Sequence, residues 1–166
     1  MSSKRNNSKL DDNFYMEQAL CLAENNHGLT GENPSVGCVL VKNNQIISSG
    51  VTGFNGRPHA EANAIKNSSI NVDGSTLYVT LEPCNHHGKT PPCTNLIKNK
   101  KIKNVVYGIN DIDPRTSKTA KKFFKSKKIK VKEGILSKKL NKFYKSYFYI
   151  KKNKLPYVIG KIASSK

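Results

Sequence analysis

From Phe14 to Asn26 the apolar positions fall at Phe14, Met16, Ala19, Leu20, Leu22 and Ala23, a helical spacing that Asp11, Asp12 and Asn13 can cap. Cys21 then belongs to the apolar packing of that helix. Two runs follow, Gly37 to Val41 and Gln45 to Ser49, and the polar turn Lys42-Asn43-Asn44 between them predicts a hairpin, with Cys38 in its first strand as a core residue. Beyond the hairpin, helices and strands alternate. A helix runs from His59 to Lys66, a strand covers Thr76 to Leu81, a helix follows Cys93 through Lys98, and a strand covers Asn104 to Ile109. A helix near Thr116 to Ser126, a strand at Ile129 to Lys132 and a helix from Ser137 to Lys152 complete the series. That last helix carries Leu140, Phe143, Tyr144, Tyr147 and Phe148 on one side and lysines on the other, the stripe of a core or subunit contact. This order predicts an α/β fold, a three-layer α/β/α sandwich with helices on both faces of a mixed central sheet.

A chain of 166 residues suits one domain with a proper core. Residues 1–10 are polar and basic, with no apolar stretch to act as a targeting signal, and are expected to be a disordered start; residues 11–154 form the domain. No apolar run approaches the roughly 18 residues of a membrane span, so no membrane partner is expected. The net charge of +18 suggests nucleic acid, but only three of the 29 basic residues are arginine, and the lysines run from Lys4 to Lys166. Arginine is the residue that phosphate and base recognition favour, so specific nucleic-acid binding is not expected, only weak salt-sensitive attraction to polyanions. Four cysteines without a signal peptide point to a reducing cytoplasm, where such spacing means metal or catalysis rather than disulfides.

The chemistry concentrates in His59-Ala60-Glu61, Pro83-Cys84 and Cys93. One imidazole and two thiolates hold Zn²⁺ tetrahedrally and leave the fourth position to water, whose pKa the metal lowers to about 7. Glu61, a carboxylate that need not bind the metal, is the candidate catalytic proton carrier for hydrolytic deamination. Pro58 before His59, and Pro91-Pro92 before Cys93, mark helix starts; two helix N-termini would then face the metal and favour thiolate and hydroxide. The bland alternative is a closed structural zinc site completed by Cys21, Cys38, His86 or His87, although such sites usually show two close ligand pairs and only Cys84 and Cys93 are close here.

Five stretches carry a resemblance: Asn33-Pro34-Ser35-Val36-Gly37-Cys38-Val39, Gly56-Arg57-Pro58-His59-Ala60-Glu61, Tyr78-Val79-Thr80-Leu81-Glu82-Pro83-Cys84, His87-Gly88-Lys89-Thr90-Pro91-Pro92-Cys93 and Asp111-Ile112-Asp113-Pro114. From about Phe14 onward the chain resembles the deaminase domain of the bifunctional riboflavin-biosynthesis protein, within the cytidine-deaminase-like zinc superfamily. The resemblance implies deamination by water of a pyrimidine ribosyl phosphate in a cytoplasmic homo-oligomer. Eight residues separate Cys84 from Cys93, where cytidine and tRNA-adenosine deaminases, the alternative reading, usually have two. That loop brings His86 and Lys89 toward the ribose phosphate. By the same resemblance Asn33 binds the pyrimidine, and Asp111 and Asp113 lie at the ribose or phosphate end. Thr52, Asn85 and Ile112 stand where the family usually has histidine, serine and proline, and Asp113 where it has asparagine. Residues 155–166 resemble the opening strand of an NADPH-dependent reductase domain; with no glycine-rich dinucleotide motif present, a separate reductase partner is expected.

Overall fold

A computed structural model describes residues 11–88 and 90–164; the expected disordered start at residues 1–10 lies outside them. Five strands form one mixed sheet in the order β2-β1-β3-β4-β5: β1 (Gly37–Lys42), β2 (Gln45–Val51), β3 (Thr76–Leu81), β4 (Asn104–Ile109) and β5 (Lys130–Glu133). β1 pairs antiparallel with β2 and β3, while β3, β4 and β5 run parallel. The hairpin turn is tighter than the expected three residues. Lys42 pairs with Gln45, and Asn43 and Asn44 both take positive φ, as a two-residue turn matching strand twist requires.

Helices cover both faces, as the alternating pattern predicts. On one face, Ala60 and Ala64 of α2 (Ala60–Lys66), Ile97 of α3 (Cys93–Asn99) and Phe124 of α4 (Ala120–Ser126) pack on Leu40, Leu77, Val79 and Val105. On the other, Met16, Ala19 and Leu20 of α1 (Asp12–Asn25) and Leu140 of α5 (Ser137–Phe143) pack on Val39, Val41, Tyr78 and Val106. The opposite-face alternation of Leu40/Val41 and Leu77/Tyr78 is the period-two pattern of strands buried on both sides. A methyl group on Gly50 would lie 2.3 Å from Ala64 N and 2.5 Å from Ala60 O, so β2 accepts α2 at backbone contact.

Five further local expectations change. Cys21 is exposed rather than core, facing outward on α1, and Tyr15 takes the buried position expected of Phe14. α4 begins at Ala120, not near Thr116, because the Glu82 carboxylate accepts the N–H groups of Lys118 and Ala120 and holds the preceding turn open. The last helix breaks at Tyr144 into α5 and α6 (Lys145–Asn153), with the Tyr144 side chain buried at the bend. Residues 155–164 form no strand: Val158, Ile159 and Ile162 are exposed, and strand geometry needs a neighbour to receive its N–H and C=O groups. Among the described residues no helix is long and apolar enough to cross a membrane.

Candidate active site

All the motif loops meet at one end of the sheet. β3 and β4 run parallel, so Glu82-Pro83-Cys84 and Asn110-Asp111 leave it side by side; β1 is antiparallel, so the segment before Gly37, with Asn33, arrives at the same end. Thr52 follows β2 there. Ligand sites favour this position, outside the carboxyl ends of parallel strands.

His59 is the N-cap residue of α2, with extended backbone, and Cys93 is the first residue of α3. Helix starts allow Glu61, two residues on, to share a cavity with His59, where a continuous helix would turn them apart. His59 Nδ1 lies 3.6 Å from Cys84 Sγ and 3.3 Å from Cys93 Sγ, and the three ligand atoms all fall within 4.8 Å of one another. A tetrahedral zinc with ordinary Zn–N and Zn–S bonds has an N···S edge of about 3.5 Å, so the trio fits the ion. Among the described residues it is a three-member group. None of the four residues that could have closed a structural site joins it: Cys21 is exposed on α1, Cys38 is buried in β1, the His86 ring is engaged by Thr116, and His87 is exposed.

Cys84 is the more acidic of the two thiols. The Cys93 thiol donates to it, His59 lies beside it, and the Cys93 backbone N–H points at it from 3.3 Å, holding the Cys84 thiol well below its usual range. Cys93 moves up, because a second thiolate beside the first is opposed. Glu61 is buried, and burial raises its carboxyl above the ordinary value against the pull of His59.

His59, Cys84 and Glu61 form the floor of a cleft of about 290 Å³, with Cys93 buried behind them against His59. Asn33, His86, Asp111 and Asp113 all line it; Lys89 lies outside the described residues. Asn33 lies against Gly56, whose φ is +89° and where a methyl group would come within 1.9 Å of Asn33 Nδ2, so only glycine leaves this amide its place. His86 Nδ1 is 2.9 Å from Thr116 Oγ1, leaving Nε2 toward the cleft side. Asp111 Oδ1 accepts the Asp113 N–H, and burial raises its carboxyl. Asp113 is held down to about 2 by Arg115, whose Nη2 lies 2.6 Å from its Oδ2. Of the departures, Thr52 is structural here: its hydroxyl accepts the Val36 N–H and donates to Pro34 O. Asn85 accepts from Thr94 Oγ1.

Arg57, Arg115, Glu82 and Tyr147 are among the cleft residues that escape sequence reasoning. Arg57 Nη1 donates to Thr90 Oγ1 at 2.6 Å, while Nη2 and His86 Nε2 flank Gly88. The available signal was rarity, since two of the three arginines among 29 basic residues stand here. Glu82 spans the floor and the 110–120 loop, accepting N–H groups from Asp111, Lys118 and Ala120.

Residues 9–109 match the family model of the cytidine and deoxycytidylate deaminase zinc-binding region. The diaminohydroxyphosphoribosylamino-pyrimidine deaminase of Buchnera aphidicola subsp. Schizaphis graminum is 41% identical over 147 residues, covering 89% of this chain and all of that protein. The riboflavin biosynthesis protein RibD of Actinobacillus pleuropneumoniae is 38% identical over 93% of this chain, which spans 41% of that longer relative. The solved deaminase/5-amino-6-(5-phosphoribosylamino)uracil reductase of Thermotoga maritima superposes with a TM-score of 0.81 at 39% identity, over 87% of this chain and 42% of its own. The chain belongs to the cytidine and deoxycytidylate deaminase family, in the branch of the riboflavin-biosynthesis deaminases.

Proposed function

We propose that this chain hydrolyses the exocyclic amine of 2,5-diamino-6-ribosylamino-4(3H)-pyrimidinone 5′-phosphate, giving the 5-amino-6-ribosylaminouracil phosphate and ammonia. The observation that carries the reading is the convergence of His59 Nδ1 and the two thiols beside a buried carboxylate, at the floor of a cleft with arginines at its rim. His59, Cys84 and Cys93 would hold Zn²⁺, which supplies a Lewis acid that makes water nucleophilic near neutral pH. Glu61 takes the proton released by the attacking water and delivers it to the departing amine. Its burial suits this, because raising the carboxyl toward the working pH strengthens it as a base while leaving its acid form able to give the proton back.

At the rim, Asn33 offers an amide to the pyrimidine, and Asp111 and Asp113 border the ribose end. His86, Arg57 and Arg115 border the phosphate end, with Lys89 assigned there on the family resemblance. Arginine's planar fork suits a phosphate, and Arg57 keeps Nη2 for one while Nη1 holds Thr90. Residues 155–164 are read as the start of a reductase domain, with NADPH-dependent reduction of the product as the following step in the cytoplasm. Ammonia release from the pyrimidine phosphate, from cytidine and from tRNA tests the assignment. Turnover of the pyrimidine phosphate alone is expected; turnover of cytidine or tRNA in its place would move the chain to the base deaminases.

A further inference from the structure

α5 and α6 supply none of the motif residues, yet two of their tyrosines reach two separate loops that help form the walls of the cleft. Tyr144 is buried at the bend between the helices. Its hydroxyl donates to Ser35 O at 2.9 Å and lies 2.6 Å from Thr80 Oγ1, which accepts the Gly37 N–H at 3.1 Å. Because the single Tyr144 hydroxyl proton goes to Ser35, Thr80 is the donor to Tyr144. The relay therefore runs Gly37 N–H to Thr80, Thr80 to Tyr144, Tyr144 to Ser35 O, and pins both ends of the short segment that follows Asn33 and Pro34. Three residues on, the Tyr147 hydroxyl donates to Asp111 Oδ1 at 3.4 Å on the other wall. Lys151, one turn further, holds its ammonium 5.8 Å over the Tyr147 ring and lines the cleft with it.

We propose that Tyr144 and Tyr147 are positioning residues that tie the Asn33 and Asp111 walls to one helical element and so set the width of the cleft before substrate arrives. The inference rests on the deaminase reading and adds to it the residues that order its rim. Walls already ordered remove an entropic cost from binding and leave the chemistry at Glu61 untouched. Loss of either hydroxyl therefore raises KM and leaves kcat nearly unchanged.

The test uses Tyr147→Phe and Tyr144→Phe in the full zinc-loaded chain, each keeping the ring and its packing. Expected are KM increases of about two- to tenfold per hydroxyl, the worth of one hydrogen bond, with kcat and zinc content held. Amide hydrogen exchange, read without substrate, should speed up at residues 35–37 in Tyr144→Phe and at 111–113 in Tyr147→Phe. Unchanged exchange in both loops, or a fall in kcat at constant KM, overturns the proposal. If Tyr144→Phe fails to fold, Tyr147→Phe alone decides. A wild-type chain inactive on the pyrimidine phosphate refutes the deaminase reading, while the exchange data still judge the clamp.

Discussion

At the floor of the cleft His59 and Glu61, with Cys93 behind them, are set by the first residues of α2 and α3, whereas at its rim Arg57, His86, Asp113 and Arg115 stand on loops held by side-chain hydrogen bonds. The floor is buried and backbone-determined; a helix start fixes where each side chain points. The rim is more exposed, and its geometry depends on partners far away in the chain, such as Thr116 for His86. On the proposed function, reaction type belongs to the floor and substrate choice to the rim. Substitutions in the two regions should separate turnover from selectivity.

The largest effect is expected from Cys84→Ala or Cys93→Ala, each leaving two ligands where three are needed, with loss of bound zinc and of activity. Cys38→Ala, lacking any place in the trio, should keep full zinc by metal analysis. Next comes Glu61→Gln, which removes the proton carrier and keeps the trio. Turnover should fall on the order of a hundredfold or more at unchanged zinc content, measured by ammonia release. Near-normal turnover would break the division between floor and rim.

Arg57→Ala should act at the rim. The phosphorylated substrate is expected to lose about tenfold in kcat/KM, the scale of one charged hydrogen bond, and its dephosphorylated analogue much less. Equal losses would assign Arg57 to loop structure through Thr90.

The smallest effect concerns the Asp113–Arg115 pair. Asp113 is depressed from 3.8 to about 2 in the folded chain, so its contribution to stability is complete above the unfolded value and is lost as pH falls through about 2. Arg115→Ala should return the Asp113 titration, followed by NMR, toward 3.8 and leave the thermal midpoint near that of the wild type, since the Arg115 partner is largely exposed.

Much of this architecture is legible in the order of residues. Every strand, and every helix but α6, begins within a few residues of where periodicity places it, and Pro58 and Pro92 mark the starts of α2 and α3. The failures share a cause. The bend at Tyr144 answers to Thr80 and Ser35, 64 and 109 residues away. The late start of α4 answers to Glu82, 36 residues from Lys118 and 38 from Ala120. Cys21 looks apolar by composition, yet it projects from the exposed side of α1.

By itself the sequence determined the donor types of His59, Cys84 and Cys93, the separate carboxylate of Glu61, and the α/β layering, because donor type and local dihedral preference are properties of a residue and its neighbours. Only the tertiary structure decided that Arg57, Arg115, Glu82 and Tyr147 join the cleft. Their places depend on the order β2-β1-β3-β4-β5 and on the reach of Tyr147 from α6 to Asp111. Contacts between residues distant in sequence form only once the sheet has brought them together, and no local pattern records them.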